Sequence, residues 1–234
     1  MTTSQHRMTP MTLSRRKFFG AAAANAAVIA AMPGALLANI PADLAHEVST
    51  EDWDTTWSGK LNGKYKAVFD NTEPESGYGV WRAAAWAKQY MDVRKATAAD
   101  LSPIVILRHN AIILAMQNSF WDKYGIGASN KVTHPLTMQP VAKNPALLDE
   151  KDGIPEPFNN AGLHKQLARG VTVLACNLAL QDMVDLIQRT DKVDAAEARK
   201  RAVGYVVPGV ILQPSGVFAA TLAQEAGASY VKAS

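Results

Sequence analysis

The sequence predicts an α/β domain built on a doubly wound, mostly parallel sheet of five strands with helices on both faces. Short apolar, β-branched runs alternate with segments of helical spacing from residue 64 to residue 232. The run 103–109 is apolar enough to be buried on both faces, which is typical of a strand covered by helices on both sides. Strands and helices that alternate in this way favour parallel pairing through right-handed crossovers.

The first half of the domain supplies two predicted strands and two predicted helices. Residues 64–70 alternate in polarity and are followed by the turn-forming residues 71–74. The second strand, 103–109, leads into a helix predicted from Asn110 to about Tyr124. Ser76 precedes the first helix, whose apolar face is formed by Val80, Ala83, Ala84, Ala87 and Met91.

The third strand, 170–176, ends where the apolar pattern changes from a strand to a helix. Leu178, Met183, Leu186 and Ile187 recur at helical spacing after it. Cys176 stands at this change, at the predicted start of the helix. The sequence therefore places a thiol where a parallel strand ends and a helix begins.

The last part of the chain completes the alternation. Asp194 and Glu197 have the spacing of a capping box and open a short helix at 195–203. A fourth strand follows at 208–214, and Ser215 is the predicted N-cap of a helix that ends at Gly227. Residues 228–232 form the last predicted strand.

The first 42 residues are predicted to be a twin-arginine export signal, cleaved near residues 38–42. Ser14-Arg-Arg-Lys-Phe-Phe19 is followed by an alanine-rich run, and the first acidic residue is Asp43. Asn25, Pro33 and Gly34 interrupt the run, so we expect no membrane span after cleavage. The expected location is the periplasm.

Loss of the signal would remove the basic excess of the chain. The formal charge is +3, and residues 1–38 carry four basic residues and no acidic one, so the remainder is close to −1. Because the high isoelectric point belongs to the signal, we expect no nucleic-acid partner.

Two further segments stand apart from the strand–helix alternation. Residues 43–63 are polar with two tryptophans and are predicted to be an N-terminal arm lying on the domain or on a neighbouring subunit. The rest, 64–234, is predicted to be a single domain with a Pro-rich insertion at 125–162. A long insertion of this kind is usually a lid, an oligomer contact or a disordered segment.

The carboxyl ends of parallel strands meet at one edge of a sheet, where ligands usually bind. This edge should bring together Cys176, the only cysteine in the chain, and His109. The helix N-terminus favours a thiolate on Cys176, although a small buried cysteine is the alternative. His109 could shuttle the proton of the thiol, or could be a neutral histidine bonded at the strand end. Polar groups that could bind an anion at this edge are those of Asn71, Asn110, Asn177 and Ser215, of which Ser215 is more simply a helix cap.

Other kinds of site are poorly supported. Gly77-Tyr-Gly79 lacks the further small residue of a dinucleotide loop because Arg82 stands there, so no nucleotide cofactor is expected. The histidines and Cys176 show no paired metal-binding spacing, so no metal is expected. Arg108 alternates to the face opposite His109 and is predicted to be a surface charge.

Two short patches carry a resemblance to the DsrE/DsrF-like sulfur-relay proteins. They are Val173-Leu-Ala-Cys-Asn177 and Pro208-Gly-Val-Ile-Leu-Gln-Pro-Ser-Gly-Val217, and the His109-Asn110 strand end is similar to that of exported members. The resemblance spans about 64–232. It implies a flavodoxin-like fold, homo-oligomers, and sulfur carried as a persulfide on Cys176. The predicted export signal and the long insertion are departures from the cytoplasmic relay proteins.

The sequence thus predicts an exported sulfur carrier with sulfurtransferase-like chemistry at Cys176. Its partners would be a sulfur donor and acceptor, either proteins or small sulfur species. The alternative is a non-catalytic periplasmic ligand-binding or assembly subunit that retains the fold. A thiol redox sensor is a third hypothesis, which requires Cys176 to pair across a subunit interface.

Overall fold

The computed structural model describes residues 52–234, which contain a five-stranded sheet in which every strand is parallel to its neighbours. The strand order is β4-β3-β2-β1-β5. The structure confirms the predicted doubly wound sheet and is consistent with a flavodoxin-like α/β fold. The strands are β1 (Tyr65–Asn71), β2 (Leu101–Leu107), β3 (Thr172–Cys176), β4 (Ile211–Gln213) and β5 (Ser229–Lys232).

Seven α-helices are described between and beside these strands. They are α1 (Tyr78–Arg94), α2 (Asn118–Tyr124), α3 (Ile126–Ser129), α4 (Leu163–Ala168), α5 (Asn177–Asp191), α6 (Ala195–Gly204) and α7 (Gly216–Glu225). Short 3-10 helices are Ser58–Lys60, Glu75–Gly77, Ala98–Asp100, His109–Ala115, Pro145–Leu147, Glu150–Asp152 and Phe158–Asn160.

The strand order places helices on both faces of the sheet. On one face, Val105 and Val173 share a core with residues of α1, α5 and α6, such as Val80 and Leu180. On the other face, Ile104, Ile106 and Leu174 pack against Trp57 of the N-terminal segment and small residues of α7. Successive side chains along β2 and β3 therefore point to opposite faces of the sheet and pack in different cores, as the pleat of a strand requires.

The predicted helix over 110–124 is wrong. The chain instead forms the 3-10 helix His109–Ala115, leaves helical geometry at Met116, and begins α2 at Asn118. Buried Asn144 explains the break, because its Nδ2 donates to the carbonyls of Leu114 and Met116 at 2.8 and 2.7 Å. Two carbonyls that would accept backbone N–H groups in a continuous helix thus accept hydrogen bonds from a side-chain amide of the insertion.

The insertion at 125–162 is packed against the outside of α1. Trp81 of α1 is buried and forms a small core with Leu148, Ile154 and Ala161, while its ring stacks on Phe158 at 5.2 Å between centroids. The Tyr78 hydroxyl also donates to the carbonyl of Pro135. The segment is therefore attached to the domain by an aromatic anchor.

The predicted export signal and the first part of the arm, through residue 51, lie outside the described residues. The rest of the arm lies on the domain, because Gln213 Nε2 donates to the Asp54 carbonyl at 2.8 Å. No helix within 52–234 is both long enough and apolar enough to cross a lipid bilayer.

Candidate functional site at the carboxyl edge of the sheet

The sheet register brings the predicted site residues to one edge. Asn71, the last residue of β1, pairs with Leu107, the last residue of β2, and Leu107 pairs with Ala175 of β3. Cys176 then pairs with Gln213, the last residue of β4. Four strands therefore end at nearly the same level, and the side chains that follow them share the carboxyl edge.

Cys176 is both the last residue of β3 and the N-cap of α5, as the sequence predicts. Its Sγ accepts a hydrogen bond from the Ala179 backbone N–H at 3.4 Å. The sulfur therefore lies at the amino-terminal end of α5. The residue is nevertheless buried, at 6% exposure, and contributes to the core on the α5 side. The thiol thus lies at the N-terminus of a helix but has little contact with solvent.

His109 lies at the same edge but does not hydrogen-bond to Cys176 in the part of the chain that the structure describes. Its side chain is 58% exposed, and its Nδ1 lies 3.5 Å from Oε1 of Glu73. Asn110 donates through Nδ2 to both oxygens of the same carboxylate, at 3.0 and 2.8 Å. His109, Asn110 and Glu73 therefore form a polar group on the surface of the edge.

Asp182, on the second turn of α5, adds an acidic group near this edge. Its pKa is raised above the usual value, first because surrounding protein partly excludes water from the carboxyl and then because Asp185 is nearby. His109 and Arg189 act in the opposite direction. The charged form of Asp182 is therefore disfavoured by the fold.

We expect Asp182→Asn to raise the stability of the protein at neutral pH. A carboxyl whose folded pKa is raised favours the native state below its ordinary pKa of 3.8, and that contribution is lost as pH rises through the raised value. The gain should be small because solvent screens the group. Urea midpoints should differ between variant and wild type at pH 7 and coincide at about pH 3, below the unfolded pKa. Equal midpoints at both pH values would contradict the expectation.

Arg108 is not the simple surface charge that the sequence predicts. Its Nε and Nη2 bind Oδ1 and Oδ2 of buried Asp70, each at 2.7 Å, and the Tyr230 hydroxyl donates to Oδ2 of Asp70 at 2.6 Å. The Asp70 carboxylate raises the pKa of Arg108, and the same carboxylate raises the pKa of Tyr230. Sequence reasoning missed this cluster, although an aspartate at the end of an apolar strand is a signal for a buried partner.

The remaining predicted binding residues mostly support the backbone. Asn71 is fully buried and donates through Nδ2 to the carbonyls of Phe69 and Ile106, both at 3.0 Å. Ser215 is the N-cap of α7, with its Oγ accepting from Phe218 N–H at 3.0 Å. Asn177 differs, because its buried Oδ1 has no hydrogen-bond partner among the described residues.

A cleft of about 670 Å³ lies at the opposite edge of the sheet. It reaches Thr172 and Ile211, the first residues of β3 and β4, whereas Cys176 and Gln213 are the last. Its other lining residues include Trp57, Lys60, His164, Leu167 and Val173. The volume is that of a small-molecule site, but the cleft cannot serve chemistry at Cys176.

Comparisons with known proteins leave the family of this chain open. No family model matches the chain, and no match was found among curated proteins or solved structures. Within 52–234, no three histidine, cysteine, aspartate or glutamate residues lie close enough together to hold a metal ion. The function must therefore be argued from the side chains at the two edges.

Proposed function

We propose that this protein is an exported sulfur carrier that holds sulfane sulfur as a persulfide on Cys176. The observation that carries the proposal is the position of the thiol at the N-terminus of α5, where Sγ accepts the Ala179 N–H. The resemblance of residues 173–177 and 208–217 to DsrE/DsrF-like proteins supports the same assignment. In this proposal the protein exchanges sulfur with a periplasmic donor and acceptor, and forms homo-oligomers.

The chemistry needs no cofactor. The Cys176 thiolate attacks the outer sulfur of a persulfide or polysulfide donor, a new sulfur–sulfur bond forms on Cys176, and the donor leaves as a thiolate with the electron pair of the broken bond. His109 is the proposed proton acceptor for the thiol, through water or a rotation of its exposed ring. Cys176 is 6% exposed, so the donor must reach a sulfur that neighbouring residues largely cover.

Intact mass spectrometry tests the proposal. Incubation of the mature protein with polysulfide should add the mass of one or two sulfur atoms, reductant should remove it, and Cys176→Ser should gain nothing. A thiol that gains no sulfur, and that alkylates only after denaturation, would refute the sulfur carrier and would identify Cys176 as a core residue.

A second function, a non-catalytic ligand-binding subunit, is favoured by two observations. Cys176 is buried, and the 670 Å³ cleft lies away from it with Lys60 and His164 on its walls. An apolar cleft with a lysine and a histidine suits a small amphipathic anion. Under this second hypothesis the protein has the same fold, and the Cys176 thiol takes part in no reaction.

Binding of the amphipathic anion 8-anilinonaphthalene-1-sulfonate distinguishes this second function. Ala168 lines the cleft, so Ala168→Trp should fill it and weaken binding at least about tenfold, the equivalent of roughly 1.4 kcal/mol. Ala196→Trp, on the exposed surface of α6, is the matched control and should bind like the wild type. Equal affinity of both variants would mean that the dye binds elsewhere, and the cleft would lose its support.

A further inference from the structure

β5 is the outermost strand on one side of the sheet. It pairs with β1, and no strand within residues 52–234 pairs with its other side. Ser229, Tyr230 and Lys232 are exposed, so the rest of the domain covers little of the strand. An uncovered outer strand presents backbone donors and acceptors to another chain.

The pairing with β1 determines which backbone groups of β5 point outwards. Asp70 of β1 pairs with Lys232, and the Asp70 carbonyl accepts the N–H of Ala233, the residue after β5. Backbone groups of alternate residues along a parallel strand point to the same neighbour, so Val231 and Ala233 face β1. The N–H and C=O groups of Tyr230 and Lys232 therefore point to the open side of the strand.

These outward groups match a second copy of β5 in one antiparallel register. Two opposite residues that exchange both backbone hydrogen bonds must each face the other strand. With Val231 on a two-fold axis, Tyr230 of each copy lies opposite Lys232 of the other, and every outward N–H and C=O has a partner. With Lys232 on the axis, two lysines would lie opposite each other. With Tyr230 on the axis, Lys232 would lie opposite Ala228. The N–H of Ala228 already donates to the Ala223 carbonyl.

The side chains also fit the register centred on Val231. Tyr230 is 46% exposed, and its hydroxyl donates to the Asp70 carboxylate, which fixes the ring beside the open side of β5. Lys232 of the second copy lies opposite this ring, in position for a cation–π contact. A lysine usually protects an outer strand from pairing with another chain. In this register it contacts an aromatic ring instead of a like charge.

We propose that this protein forms a two-fold dimer in which the β5 strands of two copies pair antiparallel about Val231 and join the two sheets. The inference specifies the contact of the homo-oligomer in the proposed function, and it does not depend on sulfur chemistry. β3, which ends at Cys176, is separated from β5 by β2 and β1. The proposed sulfur site of each copy therefore lies away from the shared strands.

Oxidative cross-linking of the mature chain tests the register. In a Cys176→Ser background, Val231→Cys places two thiols on the axis. Their Cβ atoms would be about 4.5 Å apart, which a disulfide can span. Ser229→Cys is the matched control, because residue 229 lies on the same face of β5 but would be about 14 Å from its counterpart. Val231→Cys should form a covalent dimer under mild oxidation, whereas Ser229→Cys should stay monomeric.

Sedimentation velocity measures the reversible association. The wild type should shift from monomer to dimer as its concentration rises. Lys232→Pro removes an outward N–H from each copy and keeps the pairing with β1, so it should raise the dissociation constant at least about fivefold. Lys232→Ala keeps this N–H and loses only the cation, so it should weaken the dimer less than Lys232→Pro does.

Each outcome either supports or overturns the inference. A wild type that stays monomeric at every concentration overturns it, and the open side of β5 would then be free for an extended segment of another protein. Ser229→Cys that cross-links as fast as Val231→Cys shows that the register is wrong. A dissociation constant unchanged in Lys232→Pro shows that the copies associate through another surface. These failures leave the sulfur carrier intact, because sulfur loading of Cys176 is measured separately by mass.

Discussion

Arg108→Met should lower the free energy of unfolding by about 3–5 kcal/mol, the usual cost of removing one partner of a buried ion pair. The Asp70 carboxylate is buried, and Arg108 supplies two of its hydrogen bonds. Without the guanidinium, only the Tyr230 hydroxyl would remain to compensate the buried charge. Most of the lost stability comes from burying the Asp70 carboxylate without its ion-pair partner, and less comes from the lost packing of the arginine stem.

Urea denaturation of three variants measures this effect. Asp70→Asn/Arg108→Met should recover most of the loss, because a neutral amide replaces the unpaired charge and can still accept from Tyr230. Exposed Arg189→Met should change the free energy of unfolding by no more than about 0.5 kcal/mol. If Arg108→Met proves as stable as Arg189→Met, then Asp70 does not depend on its arginine and the cluster is misassigned.

Trp81→Ala should cost about 3–5 kcal/mol, in the range measured for large aromatic residues removed from cores. The ring is buried among Leu148, Ile154 and Ala161, and it stacks on Phe158. These partners all belong to the insertion, whereas Trp81 belongs to α1. Loss of the ring should therefore release the insertion before it affects the sheet.

Hydrogen exchange and limited proteolysis can locate the effect of Trp81→Ala. Amides of residues 133–162 should exchange faster and proteases should cut there first, while β1–β3 stay protected. Phe158→Ala is the control from the other side of the stack; Phe158 is more exposed, so its removal should cost less. Uniform loss of protection across the domain would show that Trp81 supports the main core instead of anchoring the insertion.

The sequence predicts the strands of this fold well because their signals are local. The apolar runs that end at Cys176 and near Leu107 form β3 and β2, and Ser215 caps its helix as expected. The predicted strand 208–214 is reduced to Ile211–Gln213, because Gly209 has a positive φ and Val210 N–H bonds back to the Val207 carbonyl. The apolar composition of residues 208–214 predicted a strand, but the first residues of that run form a turn.

Long-range contacts set the limit of prediction at the candidate site. Alternation assigns Arg108 and His109 to opposite faces, but the partial burial of Arg108 depends on Asp70, 38 residues earlier, and on Gly216 at the start of α7, where a Cβ would collide with the arginine stem. The helix expected over 110–124 is broken by Asn144, about 30 residues later. The placement of Cys176 was predictable because it follows from one strand and the helix attached to it. The sequence left the burial of Cys176 as one of two alternatives, because burial depends on residues from other parts of the chain.

The position of β5 beside β1 also constrains how the chain reaches its native state. The first strand pairs with the last one, and Thr72 N–H donates to the Ser234 hydroxyl, 162 residues further along the chain. Contacts of such long sequence separation slow folding. One edge of β1 has no hydrogen-bonded neighbour until β5 pairs with it. Docking of the final strand is therefore the step that closes the sheet. A chain cut before residue 229 would expose the backbone of β1 and should associate with other copies.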